Sequence, residues 1–106
     1  MIQGEVRWYT FKEPNKKRPV LILTRNDLIP LLNVVSVAEI SSMTRENDAE
    51  IWLDESDGMP ERCAVDLTNI QTVHKVKLGE SITLLSPEKM GELRLAIEFV
   101  FNLRKL

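Results

Sequence analysis

Short strand-length groups of apolar residues, alternating with polar ones at the start and unbroken further on, recur through most of the chain, and the period changes to that of a helix over the last twenty residues. Ile2, Gly4, Val6 and Trp8 alternate with Gln3, Glu5, Arg7 and Tyr9, which predicts a half-buried strand. A polar turn over residues 12–17 leads into Pro19-Val20-Leu21-Ile22-Leu23-Thr24. Such an unbroken branched run predicts a strand covered on both faces. Residues 27–32 predict a short helical turn. Residues 34–42 are β-branched and predict a strand, as do residues 49–54, with Ile51 and Leu53 on one face. Asp57-Gly58 and Pro60 mark a turn. Three further short strands follow over residues 63–67, 70–74 and 81–85.

The change of period starts at Ser86, a good N-cap, with Pro87 in the first helical position. Met90, Leu93, Ala96, Ile97, Val100 and Phe101 then recur at helical spacing and predict a core-facing stripe. Arg94, Glu98 and Asn102 form the opposite face, with Arg94 and Glu98 spaced to pair. Leu95, Phe99 and Leu103 widen the apolar arc beyond what one sheet face needs. Plain core packing is the simplest use of this stripe. The elements describe a mainly β chain with a C-terminal helix, in a compact barrel or curled sheet. No repeat, linker or low-complexity segment divides it, so residues 1–106 are expected to form one domain.

A chain of 106 residues can hold one core, and burial by dimerisation would strengthen it. No apolar run is long enough to span a bilayer, and the first residues lack the character of a signal peptide, so a cytoplasmic protein with no membrane role is expected. The single Cys63 makes no internal disulfide and reads as a small strand residue. One Cys and one His give no metal-ligand spacing, so neither metal nor other cofactor is expected. The net charge of -2 hides a division: residues 1–45 carry seven Lys/Arg against four Asp/Glu, residues 46–66 one against eight, and residues 67–106 six against four. Nucleic acid is therefore not excluded, provided the basic segments share a face.

Arg18 stands where the loop ends and the apolar strand begins, and Pro19 biases it toward an extended conformation. Alone it reads as a solvated strand-end charge. Its company raises a sharper reading. Gly4-Glu5-Val6-Arg7-Trp8, Arg18-Pro19-Val20-Leu21-Ile22-Leu23-Thr24, Val37-Ala38-Glu39-Ile40-Ser41-Ser42 and Thr68-Asn69-Ile70-Gln71-Thr72-Val73 follow in that order before the helix. In this the chain resembles the MazF/PemK family of toxin endoribonucleases over essentially its whole length. The resemblance implies an SH3-like, CcdB-like small curled β-barrel.

It also implies a sequence-specific, metal-independent cut of single-stranded RNA, in which the RNA's own 2′-hydroxyl attacks the adjacent phosphate. Arg18 matches the family's catalytic arginine. An arginine suits that task because its planar fork stays charged and contacts phosphate oxygens in pairs. Ser41 matches the family's threonine or serine at the end of the central strand. Lys16, Lys17, Ser42, Thr68, Asn69 and Gln71 are the candidate RNA-binding residues. The implied partners are single-stranded RNA, a cognate MazE-like antitoxin with an acidic and apolar tail, and a second copy of the chain. Two departures stand out. Thr68 occupies a position where many members carry an acidic residue, and the loop over residues 10–17 is short. The general acid and base are thereby left open. Glu13 and Glu39 are possible substitutes, and His74, a residue type suited to proton transfer, is a weaker one. Two other readings stay open: a CcdB-like toxin that binds DNA gyrase without cutting nucleic acid, and a silent β-barrel adaptor.

Overall fold

Six strands form one antiparallel sheet. In the computed structural model, residues 1–12, 16–43 and 45–103 are described. The strands are β1 (Glu5–Thr10), β2 (Lys17–Ile22), β3 (Val34–Ser41), β4 (Glu50–Leu53), β5 (Cys63–His74) and β6 (Leu78–Leu84), followed by the helix α1 (Pro87–Phe101). Their order across the sheet is β4-β5-β3-β2-β1-β6. The sheet curls into a half-barrel, with α1 packed against β4 and β5. The mainly β architecture with a C-terminal helix is as the residue pattern predicts.

Both faces of the sheet carry apolar clusters. Leu21, Ile40, Ile51, Leu53 and Leu67 pack with Leu93 and Ala96 of α1 on one side. Val20, Ile22, Val35, Val37 and Val73 pack with Ile29 on the other, flanked by Tyr9 and Phe11. Val20, Leu21 and Ile22 are fully buried, which explains the unbroken apolar run of β2. Each such side chain contributes about 1.5–3 kcal/mol by leaving water. Ile29 belongs to a 3₁₀ turn, Ile29–Leu31, held down by Lys75, whose Nζ donates to the carbonyls of Ile29 at 2.7 Å and Leu32 at 2.9 Å.

Several boundaries differ from the sequence pattern. β1 starts at Glu5, because Gly4 adopts a φ of 87° in a turn closed by the Glu5 amide on the Ile2 carbonyl. β2 starts at Lys17 and takes in Pro19, which pairs with Trp8 of β1. Its ladder with β3 begins one residue later, at Val20 opposite Glu39, so the missing proline amide does not interrupt it. β6 begins at Leu78 rather than near Ser81. The two short strands expected over residues 63–67 and 70–74 are one strand of 12 residues. Ala38 pairs with Ile70, while the next residue, Glu39, pairs with Asp66, so residues 67–69 bulge out of the ladder. The polar Thr68-Asn69 pair reads as a break because it is this bulge.

The helix begins as predicted. The Ser86 hydroxyl accepts the Lys89 amide at 3.1 Å, and Arg94 Nε lies 3.3 Å from Glu98 Oε2. Asn102 closes the other end in the left-handed region, at φ 56°. Leu93 and Ala96 are buried, and Met90, Ile97 and Val100 are partly covered. Phe101 departs from the predicted stripe: it is exposed, as are Leu95, Phe99 and Leu103. Among the described residues no helix is long and apolar enough to cross a membrane.

Candidate functional site

The β2–β3 register brings Arg18 and Ser41 together. The ladder ends with Val20 opposite Glu39, which points Arg18 and Ser41, two residues further along their strands, toward the same end of the sheet, where both line the same clefts. Both are half-buried. By strand alternation they share a face with Val20 and Val37, so the apolar cluster of that face passes into a polar end. Two clefts open there and share three residues, Lys16, Arg18 and Ser41.

The first cleft, of about 460 Å³, is bounded by Trp8, Lys17, Ser42, Pro60 and Glu61. Lys17 Nζ sits 5.2 Å from the centre of the Trp8 ring, a cation–π contact that steers its ammonium group along the wall. Cys63 lines this cleft from the core side and is buried. Burial pushes its thiol up to about 11, with the nearby Glu61, Asp57 and Asp54 carboxylates adding to the shift. It is a protonated packing residue, as its sequence context predicts.

The second cleft, of about 520 Å³, mixes charge. Lys16, Arg18 and Arg45 face Glu39, Glu50 and Asp66 across it. The three carboxylates lie in one row, since Asp66 of β5 pairs with Glu39 of β3 on one side and with Glu50 of β4 on the other. Asp66 Oδ1 accepts the Thr68 amide at 2.9 Å and the Thr68 hydroxyl at 2.6 Å. Glu39 Oε2 accepts a hydrogen bond from Gln71 Nε2. Glu50 Oε1 accepts the Arg45 amide at 2.9 Å. Among the described residues no three acidic, His or Cys side chains are arranged to hold a metal ion.

The structure thus gathers most of the residues singled out from the sequence. Arg18, Ser41 and Lys16 line both clefts, Lys17 and Ser42 the first, and Asn69 and Glu39 the second. Thr68 and Gln71 act one step back, each bonded to a carboxylate of the second cleft. His74 lies at the far end of β5, opposite Val34, and lines neither cleft. Glu13 lies outside the described residues. Asp66, Glu50, Arg45, Trp8 and Glu61 escaped the sequence reading. Period-two alternation would place Asp66 and Glu50 on definite faces, but only the strand pairing sets them beside Glu39.

Residues 2–101 match the family described as PemK-like, MazF-like toxin of type II toxin-antitoxin system. The chain belongs to this family. Relatives in Mycobacterium tuberculosis include endoribonuclease MazF3, 36% identical over 89 residues, which are 84% of this chain and 86% of that protein. Probable endoribonuclease MazF2 of the same species is 31% identical over 93 residues, or 87% of this chain and 89% of that one. Among solved structures, the Mycobacterium tuberculosis toxin MazF-mt6 superposes with a TM-score of 0.84 at 32% identity, covering 92% of this chain and 96% of its own. An endoribonuclease from a mycobacterial species, solved in complex with its cognate antitoxin, shares the fold with a TM-score of 0.87 at 20% identity, over 100% of this chain and 99% of that one.

Proposed function

We propose that this protein is an endoribonuclease toxin that cuts single-stranded RNA within the cytoplasm and is held in check by a cognate antitoxin. The observation that carries this reading is the meeting of Arg18 and Ser41 at the shared wall of two clefts, in a chain of the PemK-like, MazF-like family. RNA needs little from an enzyme that exploits its 2′-hydroxyl. That oxygen forms a new bond to the neighbouring phosphorus while the bond to the 5′-oxygen breaks. The 2′-hydroxyl proton leaves, and the departing 5′-oxygen gains one. The products are a 2′,3′-cyclic phosphate and a 5′-hydroxyl end.

In this scheme the Arg18 guanidinium grips the charge that builds on the phosphoryl oxygens, where a fixed donor acts most strongly. Ser41 donates its hydroxyl hydrogen to the same phosphate; its oxygen already accepts the Met43 amide at 3.1 Å, which fixes its orientation. Lys16, Lys17, Ser42 and Asn69 hold the flanking strand, and Thr68 and Gln71 hold the carboxylates that touch it. The toxin works as a two-fold homodimer, and an extended acidic tail of the antitoxin covers Lys16, Lys17 and Arg18.

Incubation of the purified protein with a mixed RNA in EDTA tests this function. Cleavage that survives the chelator and leaves cyclic phosphate ends supports it. A requirement for added magnesium, or 5′-phosphate ends, would remove the mechanism. Intact RNA under all conditions would remove the function.

A further inference from the structure

The second cleft is an unusual neighbour for a phosphate site. Glu39, Asp66 and Glu50 lie side by side across three adjacent strands. Like charges set directly opposite one another in a sheet repel, so such a row costs the fold stability. Arg18 and Lys16 lie on the same cleft, yet none of the ion pairs formed among the described residues joins either of them to these carboxylates. Each carboxylate instead has one oxygen turned to a neighbour: Asp66 to Thr68, Glu39 to Gln71 and Glu50 to the Arg45 amide. These bonds orient the groups, and the second oxygen of each remains an acceptor without a partner in those bonds.

Lys16, Arg18 and Arg45 match the three carboxylates in number, so the cleft as a whole does not exclude phosphate, but along the carboxylate row itself a second phosphate meets like charge. The wall suits a neutral group rich in hydrogen-bond donors. On an RNA strand that group is a nucleobase edge carrying an exocyclic amino group, as carboxylates accept well from base amino hydrogens. Adenine, cytosine and guanine each present one. Uracil presents two carbonyl oxygens around a single N–H, and a carboxylate row meets those oxygens unfavourably.

We propose that the Glu39–Asp66–Glu50 row is a base-reading wall, which admits an amino-bearing base beside the scissile phosphate and turns uracil away. This rests on the endoribonuclease reading above and adds to it the residues that set sequence preference. The volume of about 520 Å³ leaves room for one base together with its ribose. Thr68 and Gln71 are then positioning residues for the two carboxylates nearest Arg18 in the strand order.

The test is the cleavage profile of the full chain on a short RNA randomised around its cut site, read by sequencing the new 5′-hydroxyl ends. Uracil should be depleted on the order of tenfold at one position flanking the cut, the discrimination of one hydrogen bond to a charged acceptor. Asp66→Asn and Glu39→Gln each swap an acceptor oxygen for an amide that can donate to uracil O4. They should raise the uracil share at that position and leave the other positions unchanged. Because the wild-type profile is itself decisive, a variant that folds poorly does not rescue the idea. Cleavage with uracil tolerated at every flanking position would overturn the base-reading wall and leave the endoribonuclease standing. So would variants that slow all sequences equally, for the carboxylates would then act on protons rather than bases. A failure to cut any RNA would overturn both.

Discussion

Asp66 accepts two hydrogen bonds from one residue, the Thr68 amide at 2.9 Å and the Thr68 hydroxyl at 2.6 Å. Thr68 thus holds a carboxylate of the second cleft from two residues away. In the proposed reaction its influence would run through Asp66. Thr68→Ala removes the hydroxyl bond and should lower kcat/KM several-fold, whereas Thr68→Ser keeps the bond and should stay near wild type. Steady-state cleavage of a defined RNA decides this. Equal losses in both variants would mean that the threonine methyl, and not the hydroxyl, matters. The cost in stability should be about 1 kcal/mol for Thr68→Ala, since one hydrogen bond at an exposed bulge of β5 is lost.

Arg18→Ala should reduce the cleavage rate at least a hundredfold, on the order of 3 kcal/mol, as expected for loss of one fixed donor to the transition state. Arg18→Lys should recover little, because an ammonium group does not reproduce the planar fork. Ser41→Ala should lose less than Arg18→Ala. Neither side chain belongs to the two apolar clusters, so thermal melts of all three variants should stay close to wild type. Wild-type cleavage by Arg18→Ala would show that the site lies elsewhere.

Local pattern carried the β-rich fold because period two and period 3.6 are visible residue by residue. The run Val20-Leu21-Ile22 announced a strand covered on both faces, and both faces are covered. What stayed hidden depends on pairing. A three-residue bulge at 67–69 looks the same as a loop between two strands until Ala38 and Glu39 are seen to pair with Ile70 and Asp66. The same bulge sets Asp66 beside Glu39, so the carboxylate row could not be read from spacing along the chain. Arg18, by contrast, was legible because Pro19 and the apolar run fix it locally. Phe101 shows the converse error, a helical stripe that continues past the sheet it packs on and ends in solvent.

Lys16 and Lys17 directly precede Arg18 and are exposed. Lys16→Ala and Lys17→Ala should weaken RNA binding with little change in kcat, and each should lower the magnitude of the slope of log K against log salt by about 0.7, the single-strand value per phosphate contact. Lys17 has the further contact with the Trp8 ring, so Lys17→Ala should also alter Trp fluorescence. Binding to an RNA with hydrogen in place of the scissile 2′-hydroxyl, titrated at several salt concentrations, separates binding from cleavage. An unchanged slope in both variants would place the strand on another surface.

Cys63 offers a test of the core beneath the first cleft. Its thiol is pushed from 9.0 up to about 11 by burial first and by neighbouring carboxylates second. A raised value in the folded state means that the unfolded chain gives up its proton first. The contribution to stability is thus fully present below pH 9.0 and is lost as pH rises toward about 11. At pH 8 only about one thiol in a thousand is ionised in the folded protein, so alkylation should be slow until the chain unfolds. Cys63→Ala should flatten the alkaline fall in stability while RNA cleavage persists. Rapid alkylation of the folded protein at pH 8 would contradict the buried, protonated thiol.

The last prediction concerns assembly. Leu95, Phe99, Phe101 and Leu103 are all exposed on or just beyond α1, and Leu31 and Val76 are exposed at the opposite end of β3 from Ser41. The exposed apolar residues along the helix offer a face that a second copy could cover. Light scattering at micromolar concentration should therefore report a dimer. Added antitoxin tail, as a synthetic acidic and apolar peptide, should protect Lys16 and Lys17 from acetylation and block cleavage together. The two effects are linked by position, because these lysines border the cleft that holds Arg18. A monomer with full activity would remove the homodimer. Inhibition without lysine protection would move the antitoxin tail away from Arg18 while leaving the cleavage site where it is.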